Sequence, residues 1–134
     1  MGDTHTRRLE TTPRDESFSD FLANQNAAIV VLSGDSAGNE FTLDQPKVSL
    51  GRGPDVDLAF DDSAMSREHV VFEFSDGGFR IRDLGSMNGT QLNDEVVKVG
   101  NLDHGDRLKI GEHLFQFILE RREPKPKTYV LPDA

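Results

Sequence analysis

An all-β sandwich of two antiparallel sheets is the fold class this sequence predicts, on three observations. Ten short runs of β-branched and aromatic residues follow one another between residues 28 and 119, with no convincing helix among them. Gly, Asp, Asn or Pro bounds each run, which is turn chemistry rather than helix capping. Apolar and polar side chains alternate clearly in Phe79-Arg80-Ile81-Arg82 and from Leu114 to Ile118, as expected of strands with one buried face. Short strands separated by hairpin turns close most readily as a sandwich.

The chain divides into a domain over residues 27–120 and two flanking tails. Residues 1–26 carry only Leu9, Phe18, Phe21 and Leu22 as large apolar groups, and are expected to be disordered. Phe18, Phe21 and Leu22 do fall at i, i+3 and i+4, the spacing of a brief helix over Ser17 to Asn26. So short a segment is marginal alone, and a flexible linker is the preferred reading. The expected strands are Ala28 to Ser33, Glu40 to Leu43, Val48 to Leu50, Val56 to Phe60 and His69 to Phe74. Gly78 to Leu84, Gln91 to Asn93, Glu95 to Val99, Arg107 to Ile110 and His113 to Leu119 complete the series. Asp76-Gly77-Gly78, Asn93-Asp94 and Gly111-Glu112 supply turns between them. Residues 121–134 form a charged, proline-containing tail.

Composition narrows the function. With no cysteine in 134 residues, disulfides, thiolate metal sites and thiol catalysis are excluded. Twenty-four acidic residues against fifteen basic ones give a net charge of −9, which opposes general attraction to nucleic acid or anionic lipid. The amino terminus lacks an apolar leader and no run is long enough to span a bilayer, so the expectation is a cytoplasmic monomer. No cofactor or metal is expected, since His5, His104 and His113 have no ligand-like spacing.

Three loop segments carry the chemistry. Gly51-Arg52, Ser66-Arg67-Glu68-His69 and Ser86-Met87-Asn88-Gly89-Thr90 together hold two guanidinium forks suited to a phosphate dianion, a hydroxyl donor and a carboxamide able to pair with an extended peptide backbone. Each piece also has an ordinary reading: Gly51 as a strand-end turn, Ser66 as a turn residue, Arg67 as a solvated cation, Asn88-Gly89 as a hairpin turn. His69 lies three residues after a serine, yet no nucleophile elbow or partner carboxylate pattern accompanies the pair, and an enzyme is the least favoured class.

The order and spacing of Gly51-Arg52, Ser66-Arg67-x-His69 and Asn88-Gly89 resemble the forkhead-associated (FHA) family of phosphothreonine-binding β-sandwiches, over roughly Ala28 to Leu119. The resemblance implies that Arg52, Ser66, Arg67 and Asn88 bind the phosphopeptide, while Gly51, His69, Met87 and Gly89 support the pocket, His69 as an architectural brace. Many relatives carry a polar residue where this chain has Met87, a departure from the family pattern for which Ser86, one residue earlier, is the candidate substitute. Asp83, Gly85 and Thr90 read as scaffold. The implied partners are phosphothreonine proteins and a Ser/Thr kinase, and the alternative is a phosphate-independent interaction domain. Thr11 and Thr12 ahead of the domain resemble the layout of short bacterial members with a phosphorylatable threonine pair, although Pro13-Arg14-Asp15 does not match that group closely. A phosphorylated tail would then compete for its own pocket.

Overall fold

The computed structural model describes residues 13–122. Helix α1 (Pro13–Asn24) is followed by β1 (Gln25–Val31), β2 (Glu40–Thr42), β3 (Lys47–Gly51), β4 (Leu58–Ala59), β5 (Val70–Ser75) and β6 (Gly78–Asp83). Then come β7 (Thr90–Leu92), β8 (Glu95–Val96), β9 (Val99–Asn101), β10 (Arg107–Ile110) and β11 (His113–Arg121). Two sheets result, one in the order β9-β6-β5-β3-β4 and the other β2-β1-β11-β10-β7-β8. The all-β sandwich is therefore the fold.

Alternation decides which side chains meet between the sheets. In β5, Val70, Phe72 and Phe74 are buried while Val71, Glu73 and Ser75 are only half-buried, and Ile81 of β6 lies opposite Phe72. Phe72, Ile81, Leu50, Ile29, Leu108, Ile110, Phe115 and Phe117 form the fully buried centre. On the outer face Arg80 and Arg82 both reach Glu73, at 3.0 and 3.2 Å, so the basic residues of the Phe-Arg-Ile-Arg run are paired across the sheet. Asp76 (φ 52°) and Gly77 (φ 84°) make the two-residue turn from β5 to β6, and Asn93 and Asp94, both at positive φ, make that from β7 to β8.

Three features depart from the sequence reading. The amino-terminal segment expected to be disordered contains α1, whose Phe18 and Phe21 are buried. They pack on Phe74 and Phe79 at ring-centroid distances of 5.0 to 6.3 Å, so the helix is held by the β5–β6 hairpin rather than by its own propensity. Folded structure accordingly begins before residue 27, and Thr11 and Thr12 lie outside the described residues. Second, the run Glu95 to Val99 is not one strand: the chain leaves the six-stranded sheet after Val96 and enters the five-stranded one at Val99. Third, β4 lies parallel to β3, against the expected antiparallel pairing throughout. The intervening loop is folded back by Asp57, whose carboxylate accepts from the Ser49 amide at 2.8 Å and the Ser49 hydroxyl at 3.0 Å.

Candidate functional site

β3 ends where two loops cross. A Cβ on Gly51 would lie 2.2 Å from the Arg67 carbonyl oxygen and 2.9 Å from that of Ser66, so no larger residue fits without moving main chain. The closeness lets the loops zip together: the Arg52 amide donates to the Ser66 carbonyl and the Gly53 amide to the Arg67 carbonyl, each at 3.0 Å. Arg52 then donates Nε to the Met65 carbonyl at 3.0 Å. Its two terminal nitrogens bond nothing among the described residues, and the side chain lies in an exposed residue. The fork is thus aimed by one bond and left with four N–H donors for an anion.

The loop between β4 and β5 is built on a buried carboxylate. Asp62 Oδ1 accepts from the Ala64 amide at 2.8 Å, while Oδ2 accepts from the Glu112 amide at 2.8 Å and from His113 Nδ1 at 2.7 Å. Burial would raise its pKa, but the bonds from His113, Glu112 and Ala64 hold it below the ordinary 3.8. The carbonyls that follow orient the candidate ligands: Ala64 accepts from Asn88 Nδ2 at 2.8 Å, and Met65 accepts from Arg52. Asp62 and His113 were not singled out from sequence as site residues. They stand 51 positions apart, and no local motif joins them.

His69 is fully buried and braces two loops at once. Its Nδ1 accepts from the Ser66 amide at 2.9 Å, and its Nε2 faces the Gly89 carbonyl at 2.9 Å. Those partners fit the neutral ring carrying its proton on Nε2. With Nδ1 occupied by the Ser66 amide, the imidazole has no free lone pair to offer the Ser66 hydroxyl.

The third loop, between β6 and β7, hangs from Asp83. Its carboxylate accepts from the amides of Gly85 and Ser86 at 3.1 and 3.0 Å, from the Ser86 hydroxyl, and from the Thr90 hydroxyl at 2.8 Å. Burial pushes this carboxyl's pKa up, and those bonds bring it below 3.8. Ser86 Oγ also accepts from the Gly89 amide at 3.0 Å, so it is committed within the loop and does not substitute at the rim for Met87. Gly89 takes φ +81°, the left-handed region that favours glycine. Met87 is 87% exposed, and its amide donates to Ser66 Oγ at 3.0 Å. With that lone pair occupied, the Ser66 hydroxyl retains its proton to donate.

The fold therefore links Arg52, Ser66 and Asn88 through the Ala64-to-Ser66 stretch, with Gly51, His69 and Gly89 holding the three loops in contact. Arg67 adjoins them, its carbonyl in the crossing and its residue exposed. No described helix is long and apolar enough to cross a membrane.

Comparison with known proteins bears on the fold and the family. A family model described as "Inner membrane component of T3SS, cytoplasmic domain", a domain of the FHA type, matches residues 30–121. The glycogen accumulation regulator GarA of Mycolicibacterium smegmatis is 42% identical over 97 residues, which are 72% of this chain and 61% of that protein. The oxoglutarate dehydrogenase inhibitor of Corynebacterium efficiens is 39% identical over 100 residues, 75% of this chain and 70% of the relative. The chain thus spans less than two thirds of the first relative's length. Among solved structures, the FHA domain of CT664 from Chlamydia trachomatis superposes with a TM-score of 0.65 at 27% identity, covering 69% of this chain and 96% of that one. Mycobacterium tuberculosis EmbR, solved in complex with a low affinity phosphopeptide, gives 0.66 at 26% identity over 75% of this chain and 26% of its own. Fold, loop crossing and relatives converge: this chain belongs to the forkhead-associated family.

Proposed function

We propose that the chain is a phosphothreonine-dependent binding module of Ser/Thr-kinase signalling in the cytoplasm, with Arg52, Ser66, Arg67 and Asn88 as its ligand contacts. The observation that carries this reading is the preset donor rim: Arg52 is aimed by Met65, Ser66 has its acceptor side filled by Met87, and Asn88 is tied to Ala64. A phosphate of −1.5 to −2 charge would take charge-assisted bonds worth about 1.5 to 3 kcal/mol each. Dehydration and ordering of the peptide offset much of that, leaving affinity of micromolar order. Asn88 would hold the peptide main chain and fix its register. The relatives, a glycogen accumulation regulator and an oxoglutarate dehydrogenase inhibitor, fit a protein that acts by binding rather than by catalysis.

The same site would accept the chain's own tail if Thr11 or Thr12 were phosphorylated, closing the pocket in cis. Titration of matched phosphothreonine, phosphoserine and unmodified peptides tests the main reading. Phosphothreonine should bind best, because one missing methyl in an apolar niche is worth about 1 to 3 kcal/mol. Arg52→Ala should weaken binding by about 2 to 5 kcal/mol, thirtyfold or more, with melting unchanged. Equal binding of the unmodified peptide, insensitive to Arg52→Ala, would select a phosphate-independent interaction domain instead.

A further inference from the structure

Beside the donor rim, and sharing Arg67 with it, lies a second cleft. Gly53, Pro54 and Asp55 from the loop after β3, Arg67 and Glu68 from the loop before β5, and Leu84 after β6 enclose about 340 Å³. All three site-forming loops contribute to it. From this cleft we infer a specificity subsite for a lysine or arginine side chain of the phosphopeptide, a reading that rests on the phosphothreonine site proposed above.

The walls are preformed. Gly53 is buried with its amide on the Arg67 carbonyl at 3.0 Å, and an added Cβ there would meet Arg67 Cβ at 3.0 Å, so the two loops close directly on one another. Leu84 is pinned by its amide to the His69 carbonyl at 2.9 Å, yet its residue stays 41% exposed. Its exposed part supplies apolar surface to the cleft beside Pro54. Continuity with the proposed site comes from Arg67, which belongs to both, so a peptide held by its phosphate carries its neighbouring side chains past the opening.

The chemistry of the lining selects the occupant. Pro54 and Leu84 offer apolar surface to an aliphatic stem, while Asp55 and Glu68 are exposed carboxylates with no ion pair among the described residues. A long stem ending in a cation satisfies both, with its head at the acidic rim and its methylenes on the apolar wall. Arg67 would oppose a cation in the empty cleft, but the phosphate dianion beside it offsets that charge once the peptide is bound. An acidic side chain would face two carboxylates within a protein of net charge −9. A short or purely apolar one would leave the rim unpaired.

The experiment is a phosphothreonine peptide array in which every position from four before to four after the phosphothreonine is set in turn to Lys, Arg, Leu, Ala or Glu. One position should favour Lys and Arg about five- to tenfold over Ala, as expected of partly exposed ion pairs combined with stem contact, and should disfavour Glu. The double variant D55N/E68Q should erase that preference while holding the all-alanine phosphopeptide within about twofold and melting as the parent does. Phosphopeptide binding with no basic preference, or a basic preference unchanged in the double variant, would overturn the subsite and leave the phosphate site standing. Failure of every phosphothreonine peptide to bind would overturn both.

Discussion

Gly51 shows how one residue sets the site. Its missing side chain is what allows the Arg67 carbonyl to approach, and that approach carries the paired bonds from Arg52 and Gly53. Gly51→Ala should therefore cost about 1 to 3 kcal/mol through overpacking and also weaken phosphopeptide binding, since Arg52 would be displaced from Met65. Melting together with peptide titration checks it; a stable variant with full affinity would show that the crossing is not needed. Gly51 was legible in the sequence by its place at the end of the Val48 to Leu50 run and before an arginine, as a residue whose missing side chain lets the strand turn. That the room is taken by another loop was not legible, because the atoms concerned lie sixteen positions later, in Arg67. His69, expected from sequence to brace the loop rather than catalyse, has both ring nitrogens engaged by backbone, and those bonds are what support the proposed bracing role.

At the level of the element, the β6–β7 loop is a short strand connection organised by a carboxylate rather than by turn propensity alone. Asp83 satisfies Gly85, Ser86 and Thr90, and Ser86 in turn satisfies Gly89, which places Asn88 opposite Ala64. The folded-state pKa of Asp83 lies below its unfolded value, so its stabilisation is full above about pH 4 to 5 and is lost as pH falls below 3.8. Denaturant unfolding of the parent and of Asp83→Asn at pH 6 and pH 3 should show a gap of about 1 to 3 kcal/mol at the higher pH and a smaller one at the lower. A gap independent of pH would mean that the carboxylate charge contributes nothing. Scaffold status for Asp83, Gly85 and Thr90 was legible from sequence; the idea that Ser86 serves the ligand rim was not sustained, because its hydroxyl is spent on its own loop.

Across the whole molecule, the candidate site and α1 occupy opposite poles. β3 and β1 run toward the site end, finishing at Gly51 and Val31, whereas Phe18 lies beside Pro46 and Ser75 at the other end. This alters the cis-closure proposal. With the first strand near Ala28 and no helix, sixteen residues separate Thr12 from the domain and reach about 50 Å. With Phe18 docked, only six residues remain, and they reach about 20 Å only when fully extended, which requires the start of α1 to unwind. Phe21→Ala should destabilise the domain by about 3 to 5 kcal/mol and loosen the helix. The phosphorylated variant should consequently exclude an external phosphopeptide more strongly than the phosphorylated parent, read as a larger rise in apparent Kd over each unphosphorylated form. Equal exclusion in both would show that the helix does not gate the tail.

Strand positions and hairpin turns were written in short stretches of chain, because alternation and positive-φ turns are local signals, and the residues of the proposed donor rim were picked out by the equally local Gly-Arg and Ser-Arg-x-His spacing. The folded chain alone fixed α1, the split of Glu95 to Val99 between two sheets, the parallel β4 and the Asp62–His113 brace. The parallel β4 hangs on Ser49 and Asp57, only eight positions apart, whereas the other three depend on a partner far along the sequence: the Phe74–Phe79 pair for the helix, Arg82 for Val99, and a carboxylate 51 residues from its imidazole. Packing of that kind is decided by which surfaces meet, and no window of neighbouring residues contains both.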